Sequence, residues 1–286
     1  MTSTRAPLGG SVTIGDIEVG RLGYGAMRLC GAGIWDAPAD PDAALAVLRA
    51  AVAHGVTFVD TADSYGPDVS ERQIREALHP YEGLLVATKG GLVRTGPDQW
   101  HPVGRPEYLR QCVEMSLRRL GVDRIDLWQL HRIDPQVPVE ESLGVVREMQ
   151  DEGKIRHVGL SQVTVAELTR ARRVVDIVSV QNLYNLGDRR SEDVVDHCTR
   201  EGIAFIPWYP VAAGDLARPG GVLDVLVKET GHTAAQLALA WLLRRSPVIA
   251  PIPGTSSLAH LAENVAAASI DLDDEVFAAL SAAAAR

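Results

Sequence analysis

Four glycines do most to limit what this chain can fold into. Gly55, Gly121, Gly153 and Gly202 each close a stretch of helical period and stand just before a short run of Val, Ile, Leu and aromatic residues. Glycine enters the left-handed region without a Cβ clash, so each is read as a helix C-cap that turns the chain into a strand. Helical stretches fall at 42–54, 107–120, 140–152, 191–201 and 234–244, each with apolar residues recurring on one face. After a hairpin over 11–20, strand candidates fall at 22–27, 57–61, 84–88, 125–130, 157–160, 178–181, 204–208 and 248–252.

Strands this apolar are buried on both faces, and their alternation with helices makes them parallel. The predicted fold is α/β: a (β/α)8 TIM barrel with a short N-terminal β-hairpin, one domain over 1–286. A length of 286 residues could also hold two ordinary domains, but no linker interrupts the repeats. An open dinucleotide-binding sheet is excluded, because Gly23, Gly25 and Arg28 lack the third glycine of its fingerprint and run into a loop.

The formal charge of −9, with both signs interspersed, argues against nucleic acid and for a small-molecule partner. Cys30, Cys112 and Cys198 are far apart with no CxxC pair, so neither a disulfide framework nor a thiolate metal site is expected. The first ten residues lack a signal peptide's apolar core, and the apolar stretch 234–243 is too short to span a bilayer. The expectation is a cytoplasmic protein, a monomer or weak oligomer, with no membrane, nucleic-acid or metal partner.

In such a barrel the active site lies where strands run into the following loops. The second strand ends in Phe58-Val59-Asp60-Thr61-Ala62-Asp63-Ser64-Tyr65-Gly66, the third in Lys89, and the fourth in Gln129-Leu130-His131. A phenol is a poor acid near neutrality until an ammonium stabilises its phenolate. Lys89 is suited to do that for Tyr65, Asp60 to hold Lys89, and His131 to hydrogen-bond a carbonyl oxygen that Tyr65 protonates. Singly, Asp60 and Lys89 fit a structural ion pair, Tyr65 a half-buried aromatic and His131 a core histidine; together they make a proton donor for a carbonyl accepting hydride. A metal-dependent barrel hydrolase would need ligands at several strand ends, whereas the histidines are scattered and no HExxH occurs.

Further strand ends carry Ser161 and Gln162, then Gln181 and Asn182, with amides and hydroxyls suited to a flat carboxamide or to ordinary rim hydrogen bonds. Trp208 offers a face for a ring to stack on, or a core packing group. The loop Pro251-Ile252-Pro253-Gly254-Thr255-Ser256-Ser257 opens into a helix over 258–267, where hydroxyls and free amides attract phosphate or simply cap the helix. Trp35, Trp100 and Tyr184, with Tyr65 and His131, are the expected substrate walls around an aromatic or heterocyclic carbonyl.

With these motifs the chain resembles the aldo-keto reductase superfamily, from Gly23-Tyr24-Gly25 to Glu263-Asn264, and within it a bacterial subgroup that includes pyridoxal reductases. The resemblance implies an NADPH-dependent reductase, NADH being the less favoured cofactor, with the cofactor extended across the barrel mouth. It makes Tyr65 the general acid, Lys89 and Asp60 its tuning pair, and His131 the carbonyl-orienting residue. It places Ser161, Gln162 and Gln181 on the nicotinamide amide, Trp208 on its ring, and Pro210, Val211, Gly214 and Leu216 along the pyrophosphate. Gly254, Thr255, Ser256, His260, Glu263 and Asn264 would hold the adenosine end, and Gly25, Met27, Asp60, Tyr209 and Ile252 complete the implied cofactor set. Gly254 and His260 stand where many members carry lysine and arginine for the 2′-phosphate, Gln162 replaces a more usual asparagine, and no long C-terminal loop is expected to shape the pocket. Pyridoxal or a secondary-metabolite carbonyl are the implied substrates. The alternative is a barrel that senses NADPH and turns over slowly.

Overall fold

The structure is a computed structural model that describes residues 6–211 and 222–283. Its strands are β1 (Ser11–Ile14), β2 (Ile17–Gly20), β3 (Tyr24–Gly25), β4 (Phe58–Asp60), β5 (Leu85–Gly90), β6 (Leu92–Gly96), β7 (Gln99–Pro102), β8 (Ile125–Leu130), β9 (Ile155–Ser161), β10 (Ile177–Gln181) and β11 (Ala204–Phe205). Its helices are α1 (Pro41–Ala53), α2 (Val69–Leu78), α3 (Pro106–Leu120), α4 (Val139–Asp151), α5 (Val165–Ala171), α6 (Glu192–Glu201), α7 (Val222–Thr230), α8 (Ala234–Arg245), α9 (Leu258–Ala266) and α10 (Asp274–Ala283).

One parallel sheet runs in the order β3-β4-β5-β8-β9-β10-β11. The expected eighth strand, 248–252, closes this sheet without forming a regular ladder. On one side Phe205 N donates to Val248 O and Ala250 N donates to Phe205 O, each at 2.8 Å, and on the other Gly23 N donates to Pro251 O at 3.0 Å. Pro251 and Pro253 have no N–H to give, which leaves an isolated bridge at Phe205 and Ile249 where a strand would make a longer series. Two other expected strands are also shorter. The run 22–27 is regular only at Tyr24–Gly25 before a 3-10 turn at Ala26–Leu29, and 204–208 ends at Phe205, two residues before Pro207.

β1 and β2 form the expected antiparallel hairpin. Its Val12, Ile14 and Val19 pack with Phe58, Leu85, Leu127 and Ala204, from the early positions of four barrel strands, and so plug the end opposite the loops that carry function. Outside the sheet, Trp128, Leu143, Val146, Leu160, Tyr184, Phe205 and Trp241 belong to the large core shared with the helices. The glycine turns are as expected: α3 ends at Gly121 with φ +73° and α6 at Gly202 with φ +67°. β6 and β7 form a second antiparallel hairpin, after β5, where a loop was expected.

Candidate active site

The parallel register brings the polar strand ends into one layer. Asp60 is the last residue of β4, Lys89 pairs across from Gln129 in β8, and His131 follows the end of β8. Asp60 and Lys89 are buried, and their ion pair is 2.5 Å from Nζ to Oδ1. The other Asp60 oxygen, Oδ2, accepts from Gln129 Nε2 and Gln181 Nε2, each at 2.9 Å. Lys89 Nζ also donates to Thr61 O at 2.8 Å and to the Tyr65 hydroxyl at 3.4 Å. A buried ion pair is costly unless its remaining lone pairs and protons are satisfied, and here they are.

These contacts set the protonation states. Burial raises the Tyr65 phenol above its usual range, and the Lys89 charge works against that rise. Burial disfavours the Lys89 ammonium, but Asp60 and Tyr65 together outweigh it and keep the lysine above its ordinary value. His131 is pushed well below the usual imidazole value, first by burial and then by the charges of Lys89, Arg132 and Arg94, so it is neutral near neutrality. Its Nδ1 lies 3.3 Å from Ser64 Oγ, a hydroxyl that serves it as donor or acceptor according to the tautomer.

Behind Lys89 lies a polar network without a forecast in the sequence. Buried Glu71 of α2 accepts from Thr88 of β5 at 2.6 Å and from Arg119 of α3 at 2.5 Å, and Arg119 also pairs with Asp68 at 2.8 Å. It ties the end of β5 to the helix layer.

The aromatic side chains expected to wall the substrate are held by Arg94, a residue given no role in the sequence. Arg94 of β6 donates to the carbonyl oxygens of Gly33, Ile34, Ser64, Gly96 and Gln99. Its guanidinium carbon sits 3.5 Å from the Trp100 ring centroid and 5.5 Å from that of Trp35. Trp100 in turn meets Tyr65 and His131 edge to face, at 6.3 and 6.5 Å between centroids. Met27 packs into the same cluster. Tyr184 does not belong to these walls. It is wholly buried, its ring is against Phe205 and Trp241, and its hydroxyl donates to Glu192 at 2.8 Å, because its side chain turns outward to the helices.

On the side expected for a nicotinamide, Gln162 already has its amide oxygen engaged by protein groups. Its φ is +58°, and its Oε1 accepts from Trp208 Nε1 at 3.1 Å and from Leu183 N at 3.2 Å, so its oxygen is spent on positioning the indole. Trp208 remains partly exposed with its edge anchored. Gln181 directs its amide nitrogen to Asp60, and Asn182 clamps Val163 through both N and O, so neither amide is wholly free for a carboxamide. Ser161 Oγ accepts from Arg132 at 2.9 Å, leaving its own hydroxyl proton to donate.

Tyr209 is exposed, Pro210 is buried and Val211 is exposed; Gly214 and Leu216 lie outside the described residues. The first and last loops meet backbone to backbone. A Cβ on Gly25 would lie 2.7 Å from Ile252 O, and one on Gly254 would lie 2.6 Å from Gly25 O and 3.7 Å from Arg28 Cγ. Arg28 is exposed there. Tyr24 donates to Thr255 O at 2.6 Å, Ser257 caps α9 by accepting from His260 N, and Glu263 accepts from Thr233 of the cap before α8. Ser256 and His260 are exposed, while Asn264 is buried.

Of the residues without a forecast, Gln129 was within reach of the sequence: it lies two positions before His131 and so faces the same side of a strand. Arg94, Arg132 and Glu71 had no such signal, since their partners come from separate loops and helices.

The model of the aldo/keto reductase family matches residues 21–285. The chain belongs to that family. Members are NAD(P)H-dependent oxidoreductases. This reductase is 57% identical over 271 residues to an uncharacterised oxidoreductase of Schizosaccharomyces pombe, covering 95% of this chain and 89% of that one. It is 43% identical to pyridoxine 4-dehydrogenase of Escherichia coli, over 94% and 96% of the two chains. A crystal structure of an aldo/keto reductase from Klebsiella pneumoniae in complex with NADP and acetate superposes with a TM-score of 0.80 at 27% identity, over 95% and 94% of the chains.

Proposed function

We propose that this aldo/keto reductase uses NADPH to reduce an aldehyde or ketone to the alcohol. The observation that carries this reading is the buried Asp60-Lys89 pair ending on the Tyr65 hydroxyl, with neutral His131 beside it. When bound, NADPH supplies a hydride to the carbonyl carbon and leaves as NADP+. The oxygen that gains charge takes the Tyr65 proton, and Lys89 stabilises the phenolate left behind. Asp60, held at both oxygens, keeps Lys89 charged and placed. His131 donates from Nε2 to the carbonyl oxygen. Solvent returns one proton to Tyr65, so each carbonyl gains one hydride and one proton.

The donor set on the rim fits this cofactor. Trp208 presents a ring face, the Ser161 hydroxyl is free to donate to a carboxamide, and residues 254–257 offer hydroxyls and amides at the start of α9. Arg28, beside Gly254, supplies the positive charge for a 2′-phosphate that Gly254 cannot, which favours NADPH over NADH. Trp35 and Trp100 suit a flat carbonyl compound, pyridoxal among them. Cys30, Cys112 and Cys198 are free and buried, as suits a cytoplasmic protein.

The test is a fluorescence titration of the purified protein with NADPH and NADH, followed by NADPH oxidation against a carbonyl panel headed by pyridoxal. Tighter binding of NADPH with turnover of at least one carbonyl is expected. Binding without turnover of any carbonyl would favour a sensing role, and absence of binding would overturn the proposal.

A further inference from the structure

Arg132 sits at the barrel mouth between the ends of β8 and β9, and the reaction proposed above gives it no task. Its Nη1 donates to His131 O at 2.6 Å and to Ser161 Oγ at 2.9 Å. Those two bonds use one nitrogen of the guanidinium fork and leave Nε and Nη2 without a described hydrogen bond. The residue is largely withdrawn from water, and among the described residues it forms no ion pair. The nearest carboxylate along the chain, Asp134, is committed to the N–H groups of Gly104 and Gln136.

Its charge is felt where the chemistry occurs. Burial lowers the Arg132 value, negative charge forming on Tyr65 would offset this, and Arg132 is among the charges that depress His131. The other cations at the mouth are already engaged. Lys89 has Asp60, while Arg94 is wrapped by five carbonyl oxygens and the Trp100 ring. A partly buried guanidinium without an anion is unfavourable unless something brings the anion to it.

We infer that Arg132 binds an anionic oxygen on the substrate, so that this enzyme prefers carbonyl compounds bearing a carboxylate or an ionised ring hydroxyl close to the reacting carbon. The inference rests on the reductase reading, because it takes the carbonyl to lie between Tyr65 and His131. A guanidinium recognises such oxygens through paired N–H donors, and its position next to His131 places the anion near the carbonyl.

The test compares matched pairs that differ in charge and share the reacting group: 3-carboxybenzaldehyde with its methyl ester, and pyridoxal with its 3-methoxy ether. For wild type, kcat/KM should favour the anionic member of at least one pair by about ten- to a hundredfold, the range for a hydrogen bond to a charged group. The pair that shows it identifies the anion as carboxylate or phenolate. In Arg132→Gln the preference should collapse to near equality, and Arg132→Lys should restore part of it. A role confined to orienting Ser161 would lower both members of a pair alike and leave the ratio unmoved, which would overturn the inference. If Arg132→Gln does not fold, the wild-type ratios decide, and values near one in both pairs overturn it. Reduction of charged and neutral members at equal efficiency contradicts the substrate class alone, whereas reduction of none contradicts the proposed reaction.

Discussion

Asp60 has one carboxylate oxygen on an ammonium and the other on two amides, so it has no freedom to rotate away from Lys89. At the scale of single residues the proposed proton donor depends on this: the carboxylate that places Lys89 beside Tyr65 is itself held from β5, β8 and β10. Arg28 invites a direct test at this scale. Arg28→Ala should weaken NADPH about tenfold, as expected for a lost charge-assisted contact, and alter NADH affinity less than about twofold. Titration with both cofactors checks this, and equal weakening of the two would remove the 2′-phosphate assignment. The meeting of Asp60, Tyr65, Lys89 and His131 was legible in the sequence because residue type and strand-end position carry it. The turning of Gln162 toward Trp208 was not, since a positive φ at a non-glycine residue leaves no mark in the sequence. Tyr184 misled for a related reason: which face a loop aromatic presents is decided by packing against Phe205 and Trp241, far away in the chain.

α2, α3 and β5 meet at Glu71, which bridges Thr88 and Arg119 out of contact with solvent. Removing Glu71 leaves the buried Arg119 charge with half-exposed Asp68 as its remaining counter-ion and strips Thr88 of its acceptor. Glu71→Ala should therefore cost about 3 kcal/mol, the lower end for breaking a buried pair. The midpoint of denaturant unfolding is the measurement, and a change within error would show that Arg119 finds solvent instead. The alternation of helices and strands was readable because glycine caps punctuate it and apolar runs fill it. The β6-β7 hairpin was not, because polar residues such as Arg94, Thr95 and Gln99 hide a strand pattern and it is stabilised by contacts to the loop around Gly33. The eighth strand was located correctly but not its form, which Pro251 and Pro253 reduce to isolated contacts.

For the whole molecule, a chain of net charge −9 gathers Lys89, Arg94 and Arg132 around its proposed reacting centre. An acidic surface and a cationic mouth together suit a small anionic ligand. The same interior affects stability as a function of pH. Burial, aided by the Glu71 charge, pushes the Asp63 carboxyl up to about 7. The folded state thus keeps a proton that the unfolded chain releases near pH ~4, and the stability from this group declines as pH rises from there to the folded value. Asp63→Asn should remove that decline, so that the variant gains in thermal midpoint on wild type as pH increases through this window; a difference that stays constant with pH would contradict it. The Tyr65→Phe variant tests whether Tyr65 is the proton donor. Its kcat for carbonyl reduction should fall about a thousandfold, within the range for loss of a positioned acid, while NADPH affinity stays within about threefold. Turnover at the wild-type rate would show that the proton comes from elsewhere.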